Sequence, residues 1–262
     1  MTDRTVIIYP NPQVMREAIS ARLLLKLSDR LATQSRVDVA LTGGTDGIAA
    51  LAALNDSPLA AAVDWSRVHL WWGDERFVAA DDPDRNALQA RQAWFGTLQA
   101  QGLLPEAHVH EMPADTRSAE QISEADDQAN LEAVQHAAAE YDAQIVRELG
   151  EQGAFDLILF GVGPDGHFAS LFPDHPQVLI DDPLSRVVGL TDSPKMPPMR
   201  ISLTVPFIRR ARKVWVFASG QRKAEAVGHA LAGVNNPHVP SSFAAGAKET
   251  LWMLDRDAAV NL

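Results

Sequence analysis

The chain has 262 residues, 46% of them hydrophobic and 22% charged, enough for a sizeable core in one large domain or two small ones. Thirty-four acidic residues against 23 basic ones give a formal charge of -11, which argues against non-specific binding to nucleic acid or to an anionic membrane. There is no cysteine, so disulfides, thiolate metal sites and a cysteine nucleophile are excluded.

The N-terminal MTDRTVIIYPNPQ lacks the apolar core of a signal peptide, and no apolar run approaches ~18 residues, so a soluble cytoplasmic protein is expected. Thr5 to Tyr9 is a short β-type run closed by Pro10-Asn11-Pro12. Val14, Ala18, Ala21 and Leu25 then recur at helical spacing, through about Thr33. Val37 to Leu41 is a second strand, and it runs through Thr42-Gly43-Gly44-Thr45-Asp46-Gly47 into a helix over Ile48 to Leu54. Gly43, Gly44 and Thr45 offer bare backbone N–H groups and a hydroxyl, a phosphate cradle or simply a tight turn. The Gly-Lys-Ser/Thr ending of a P-loop is absent.

Val68 to Trp72 is a third strand, ending at Gly73-Asp74-Glu75-Arg76. Charges crowded at the end of a tryptophan-rich strand must pair or face a cleft, so Asp74, Glu75 and Arg76 are site candidates or an ion-paired strand end. Asp81 to Asn86 lacks the glycine and glutamate of a calcium loop and is expected to form a turn and helix cap. An amphipathic helix follows over Asn86 to Gln101, and one or two surface helices over Ala119 to Leu149. His108, His110 and His136 have no third ligand at convincing spacing and are taken as structural or exposed.

Phe155 to Phe160 has the composition of a strand buried on both faces of a parallel sheet. Gly161, Gly163, Pro164 and Gly166 stop it and turn the chain sharply, placing His167 on the turn beside Asp165. Imidazole is the side chain whose ordinary pKa suits proton transfer near neutrality. Gly161 to Gly166 matches G-x-G-x-x-G, but Pro173 and Pro176 leave no room for the long helix that a dinucleotide site needs.

Arg186 to Thr191 is another predicted strand. In Lys195-Met196-Pro197-Pro198-Met199-Arg200 the prolines stiffen the chain and present Lys195 and Arg200. Val214 to Ala218 is a strand, Ser219 to Lys223 turns it into a helix over Glu225 to Leu231, and Thr250 to Leu254 is the last strand. Lys223 falls in the first helical turn, against the macrodipole, where a bound anion would relieve the misfit. With no repeat, linker or clean boundary, residues 1–262 are expected to form a single domain.

Strand, glycine-bearing turn and helix recur along the chain. This predicts an α/β, doubly wound, mostly parallel Rossmann-like sheet with helices on both faces. Turns after parallel strands share one edge, which gathers Gly43, Gly44, Thr45, Asp74, Arg76, His167, Lys223 and Arg200 around a site for a phosphorylated small molecule. G-x-S-x-G is absent, so no serine nucleophile is indicated.

TGGT at 42–45, GDERFVAADDPDRN at 73–86, FDLILFGVGPDGHFASLFP at 155–173, KMPPMRISLT at 195–204 and SGQRKAEA at 219–226 together resemble the 6-phosphogluconolactonases related to glucosamine-6-phosphate deaminases. The resemblance spans nearly the whole chain and implies a deaminase/lactonase-type fold. It also implies hydrolysis of 6-phosphoglucono-1,5-lactone with no metal or organic cofactor, His167 acting as general base and then acid. By the same resemblance Asp74 and Arg76 serve the reaction, and Gly43, Gly44, Thr45, Asp165, Arg200 and Lys223 bind substrate. The family commonly reads Gly-Gly-Ser-Thr-Pro where this chain has Gly43-Gly44-Thr45-Asp46-Gly47. The expected partner is a phosphorylated sugar lactone, with no nucleic acid or membrane, in a monomer or small homo-oligomer.

Two other readings share the fold. A sugar-phosphate deaminase or isomerase carries Glu in an Asn-Glu-Pro context after the histidine, where this chain has Ala169-Ser170-Leu171-Phe172-Pro173. A non-catalytic sugar-phosphate sensor would be joined to a DNA-binding module, and neither a helix-turn-helix extension nor a basic face is evident.

Overall fold

Apolar runs without polar alternation suit strands covered on both faces. The computed structural model, which describes residues 3–262, bears this out. Strands β1 (Arg4–Tyr9), β2 (Val37–Leu41) and β3 (Val68–Trp72) precede a short β4 (Asp74–Arg76). They are followed by β5 (Leu157–Gly161), β6 (Val187–Leu190), β7 (Arg200–Leu203), β8 (Lys213–Ala218) and β9 (Glu249–Asp255). Six of them form one sheet in the order β1-β9-β8-β5-β2-β3, parallel throughout. Only the edge strand β1 is largely uncovered.

The helices are α1 (Pro12–Leu31), α2 (Gly44–Ala52), α3 (Asn86–Ala90), α4 (Gly96–Ala100), α5 (Ala119–Glu124), α6 (Asp127–Leu149), α7 (Val205–Arg210) and α8 (Ala224–Ala232). Parallel crossovers are right-handed, so connections stepping toward β3 and those stepping toward β1 carry helices to opposite faces. The predicted helix over Asn86 to Gln101 is continuous but contains a π turn at Arg91–Phe95. Helix α2 starts at Gly44 rather than Ile48, because Gly43 takes the N-cap position and the glycine loop itself winds into the first turn. Trp71, Trp72, Trp94, Trp215 and Trp252 are fully buried in the core.

Two features place the site. The chain steps outward from β2 to β3 on one side and from β5 to β8 on the other, so a topological switch point lies between β2 and β5. Their register covers only Val39–Leu157 and Ala40–Ile158, so a crevice opens beyond their carboxyl ends. The second feature was not expected from the sequence: β4, β7 and β6 form a separate antiparallel sheet, in which Asp74 faces Ser202 and Arg76 faces Arg200. Residues 195–204, expected only as a stiff extended segment, supply its central strand.

Near the start of β3, His69 and His110 are buried and nearly coplanar at 11°, with Nδ1 of His69 2.9 Å from Nε2 of His110. Gln144 holds the outer nitrogen of His110 at 3.2 Å, and the His108 ring stacks on His69. Glu148 is the one carboxylate grouped with this pair among the described residues, and Arg36 already engages it at 3.1 Å. Facing nitrogens at that separation make an N–H···N hydrogen bond. A shared zinc would need converging lone pairs and two Zn–N bonds of about 2.0–2.1 Å, which sets the nitrogens farther apart.

Burial, with the Arg36 charge adding to it, pushes His69 down to about 3; burial also pushes His110 down to about 4. Both rings are therefore neutral in the folded protein, whereas the unfolded chain takes up protons near 6.5. Their contribution to stability is complete well above pH 6.5 and is lost progressively as pH falls from there through about 4 for His110 and about 3 for His69. Urea unfolding should show about 2 kcal/mol or more lost between pH 7 and 5. The double variant His69→Asn/His110→Gln should show a flatter dependence; an equal slope would refute this origin.

Candidate active site

The crevice at the switch point is a cleft of about 110 Å³. Thr42 to Gly47 form one wall, Gly161 to Gly163 and His167 the opposite one, and Asp74, Arg76 and Lys223 complete it. Gly43 has to be glycine, since a Cβ there would lie 1.8 Å from the Oδ1 of Asn86. Gly44 adopts φ +77, and with Gly43 as cap the first N–H groups of α2 are left without helical partners beside the cleft.

After β5 the chain turns without forming a helix, since the residues from His167 to Phe172 hold only a bridge between Phe168 and Leu171. Gly163 N–H donates to the His167 carbonyl at 2.9 Å and Gly166 N–H to the Gly163 carbonyl at 3.0 Å, closing a tight loop. His167 Nδ1 lies 2.5 Å from Asp165 Oδ1. A carboxylate only accepts, so Nδ1 carries a proton, and in the neutral ring the lone pair is on Nε2. Burial alone would raise Asp165, but hydrogen bonds and charge from His167 and Lys195 hold it well below the usual carboxylate range. Ala169, at φ 49, sends the chain back so that Ser170 Oγ donates to Asp74 Oδ2 at 2.8 Å.

Lys223 has an internal partner as well as a place on the cleft, because beside α8 its Nζ donates to Asp46 Oδ2 at 3.1 Å. The buried Asp46 also accepts from Arg16 at 2.7 Å and from the Ser219 hydroxyl at 2.7 Å. Burial would raise Asp46; the Lys223 charge and these donors leave it below the ordinary carboxylate range. The acid that departs from the family's loop pattern therefore ties α1, α2 and the turn after β8 together.

The three charged residues after β3 divide their roles. Asp74 and Arg76 line the cleft, whereas Glu75 is fully buried and accepts the backbone N–H groups of Arg76, Asn86 and Ala87 at 2.7–2.8 Å. Glu75 thereby caps α3, a task expected of the Asp81 to Asn86 turn, and burial pushes it up to about 7. Arg200 is brought close to the cleft but not into its wall. It is 4% exposed and donates to the carbonyls of Lys195, Met196 and Pro197. Burial, then the facing Arg76, lowers it to about 10. Thr45 lines the cleft and is exposed. Asn86 and Ser170, which position Asp74, were given no role from the sequence.

A parallel-sheet crevice that combines helix N–H groups, Arg76 and Lys223 with one imidazole carries the kinds of group that binding a small anion and transferring a proton require. Residues 10–252 match the family model described as glucosamine-6-phosphate isomerases/6-phosphogluconolactonase, and the chain belongs to that family. It is 42% identical to a 6-phosphogluconolactonase of Streptomyces coelicolor, with 98% of this chain and 94% of that protein aligned. Identity to the 6-phosphogluconolactonase of Mycobacterium tuberculosis is 40%, over 97% of each chain. Among solved structures, the 6-phosphogluconolactonase of Leishmania guyanensis superposes with a TM-score of 0.81 at 25% identity, over 98% of each chain.

Gly163 packs directly under the imidazole, and a Cβ there would lie 2.0 Å from His167 Nδ1 and 2.4 Å from Asp165 Oδ1. Gly163→Ala should leave the circular dichroism spectrum unchanged while abolishing the low-field proton resonance of the Nδ1–H held by Asp165. A retained resonance would show that the ring does not depend on this close approach.

Proposed function

We propose that residues 1–262 act as one lactonase domain, hydrolysing 6-phospho-D-glucono-1,5-lactone to 6-phospho-D-gluconate in the oxidative pentose phosphate pathway. The domain acts in the cytoplasm as a monomer or small homo-oligomer; no helix among the described residues is long and apolar enough to cross a membrane. The activity named for the relatives from S. coelicolor and M. tuberculosis supports the choice of substrate. One observation carries the chemistry: an imidazole committed to Asp165 through Nδ1 stands on the wall of the cleft that Arg76, Lys223 and the Gly43–Thr45 turn also line.

Lactone opening needs a proton taken from water, charge stabilised on the carbonyl oxygen, and a proton given to the leaving ring oxygen. His167 Nε2 takes the first proton as the water oxygen bonds to the lactone carbon. The oxyanion then collapses, the bond from carbon to ring oxygen breaks, and the imidazolium returns its proton to that oxygen. Arg76 and loop N–H groups face the developing oxyanion, and Asp74, held by Ser170, orients sugar hydroxyls. Thr45, Lys223 and the first N–H groups of α2 hold the phosphate.

His167→Ala should lower kcat for lactone hydrolysis by about 10²- to 10⁴-fold with a modest change in KM. Full kcat in that variant, or ammonia release from glucosamine 6-phosphate by the unmodified protein, would overturn the reading. Lys223→Ala should raise KM for the phosphorylated lactone by roughly tenfold relative to the unphosphorylated one. An unchanged preference would remove Lys223 from the phosphate site.

A further inference from the structure

The loop 193–200 is shaped from both sides around one residue. Ser193 Oγ donates to the Lys195 carbonyl at 2.8 Å and lies 3.2 Å from the Lys195 N–H. From beneath, the buried Arg200 donates to the carbonyls of Pro197 at 2.8 Å, Met196 at 3.1 Å and Lys195 at 3.2 Å. Burying a guanidinium is costly, and here it is spent on carbonyls that the two prolines of the loop leave without regular partners. The product of this arrangement is the position of the Lys195 ammonium, 3.1 Å from Asp165 Oδ1 and 3.0 Å from His167 Nδ1.

An ammonium has no lone pair, and Nδ1 already carries the proton it gives to Asp165, so no hydrogen bond joins Lys195 to the ring. The two donors are brought together because they share one acceptor, Asp165 Oδ1. A carboxylate alone beside an imidazole favours the imidazolium, which has no lone pair left for taking a proton from water. A cation on the same oxygen offsets that bias and also fixes the oxygen in place. We propose that Lys195 is a positioning residue for His167, sharing Asp165 with the Nδ1–H so that the ring stays neutral and keeps its Nε2 lone pair for the incoming water. This rests on the lactonase reading, in which His167 is the base.

Asp165 and Lys195 are the charged groups within hydrogen-bond distance of the ring among the described residues. Asp74, Arg76 and Lys223 line the rest of the cleft, Lys223 with Asp46 upon it, and Arg200 lies behind the loop. The side chain of Lys195 is 39% exposed, so its replacement does not disturb the core.

Lys195→Met keeps the apolar stem and removes the charge. The acidic limb of the kcat/KM profile should move up by about one pH unit. KM for the lactone should stay within about twofold of the unmodified value, and Lys195→Arg should restore the limb. A nitrogen NMR titration of His167 should show the same displacement without any turnover, which separates this inference from the reading it rests on. If the NMR titration moves while hydrolysis is indifferent to His167, the lactonase mechanism fails and the pairing stands. If the titration does not move, or if KM alone rises tenfold or more, Lys195 is a structural or phosphate contact and the inference is overturned.

Discussion

The bond from His167 Nδ1 to Asp165 is the interaction on which the rest of this site depends. It decides the tautomer, and so decides which nitrogen is free. The bond exists because the chain leaves β5 in a glycine-bearing loop instead of a helix, and because Gly163 lets the ring lie almost on the backbone. A longer helix here would carry the imidazole away from the crevice and would build a pyrophosphate site instead.

Around that bond, an acidic protein gathers cations and then restrains them. Lys223 and Arg16 are held by the buried Asp46, Lys195 by Asp165, and Arg200 by three loop carbonyls. Each partner keeps a long, mobile side chain in place before any ligand arrives, which reduces the ordering cost of binding. Arg76 faces Arg200 across the β4–β7 pair, a like-charge contact tolerated because backbone carbonyls absorb one of the guanidinium groups. The protein thus presents positive charge to the cleft without leaving it to repel itself.

Signals carried by neighbours in sequence were legible. The strands from Val37, Val68, Phe155, Val214 and Thr250, the turn bearing His167 and the missing helix after it follow from apolar runs, glycines and prolines. Asp74, Arg76, His167 and Lys223 were all expected near one edge, and they line one cleft. What could not be read were contacts decided by distant partners. Glu75 looked like a site residue and proved to be a helix cap, because α3 begins just where its carboxylate can reach. Asp46 and Lys223 are separated by 177 residues, so neither segment alone could show that they are paired. Arg200 has the composition of a phosphate ligand, but its Nε and Nη2 groups donate to the loop it lies under.

By itself the sequence determined the alternation of strand and helix, the family, and the residue types available for proton transfer, since these reside in local patterning and in motifs read along the chain. Tertiary structure alone decided the antiparallel sheet of β4, β7 and β6, the pairing of His69 with His110, and the delivery of Lys195 to the imidazole. Those outcomes are set by hydrogen-bond geometry and charge between segments that meet only once the parallel sheet has formed. A carboxylate's role depends on which donors reach it, and that is a property of the folded chain.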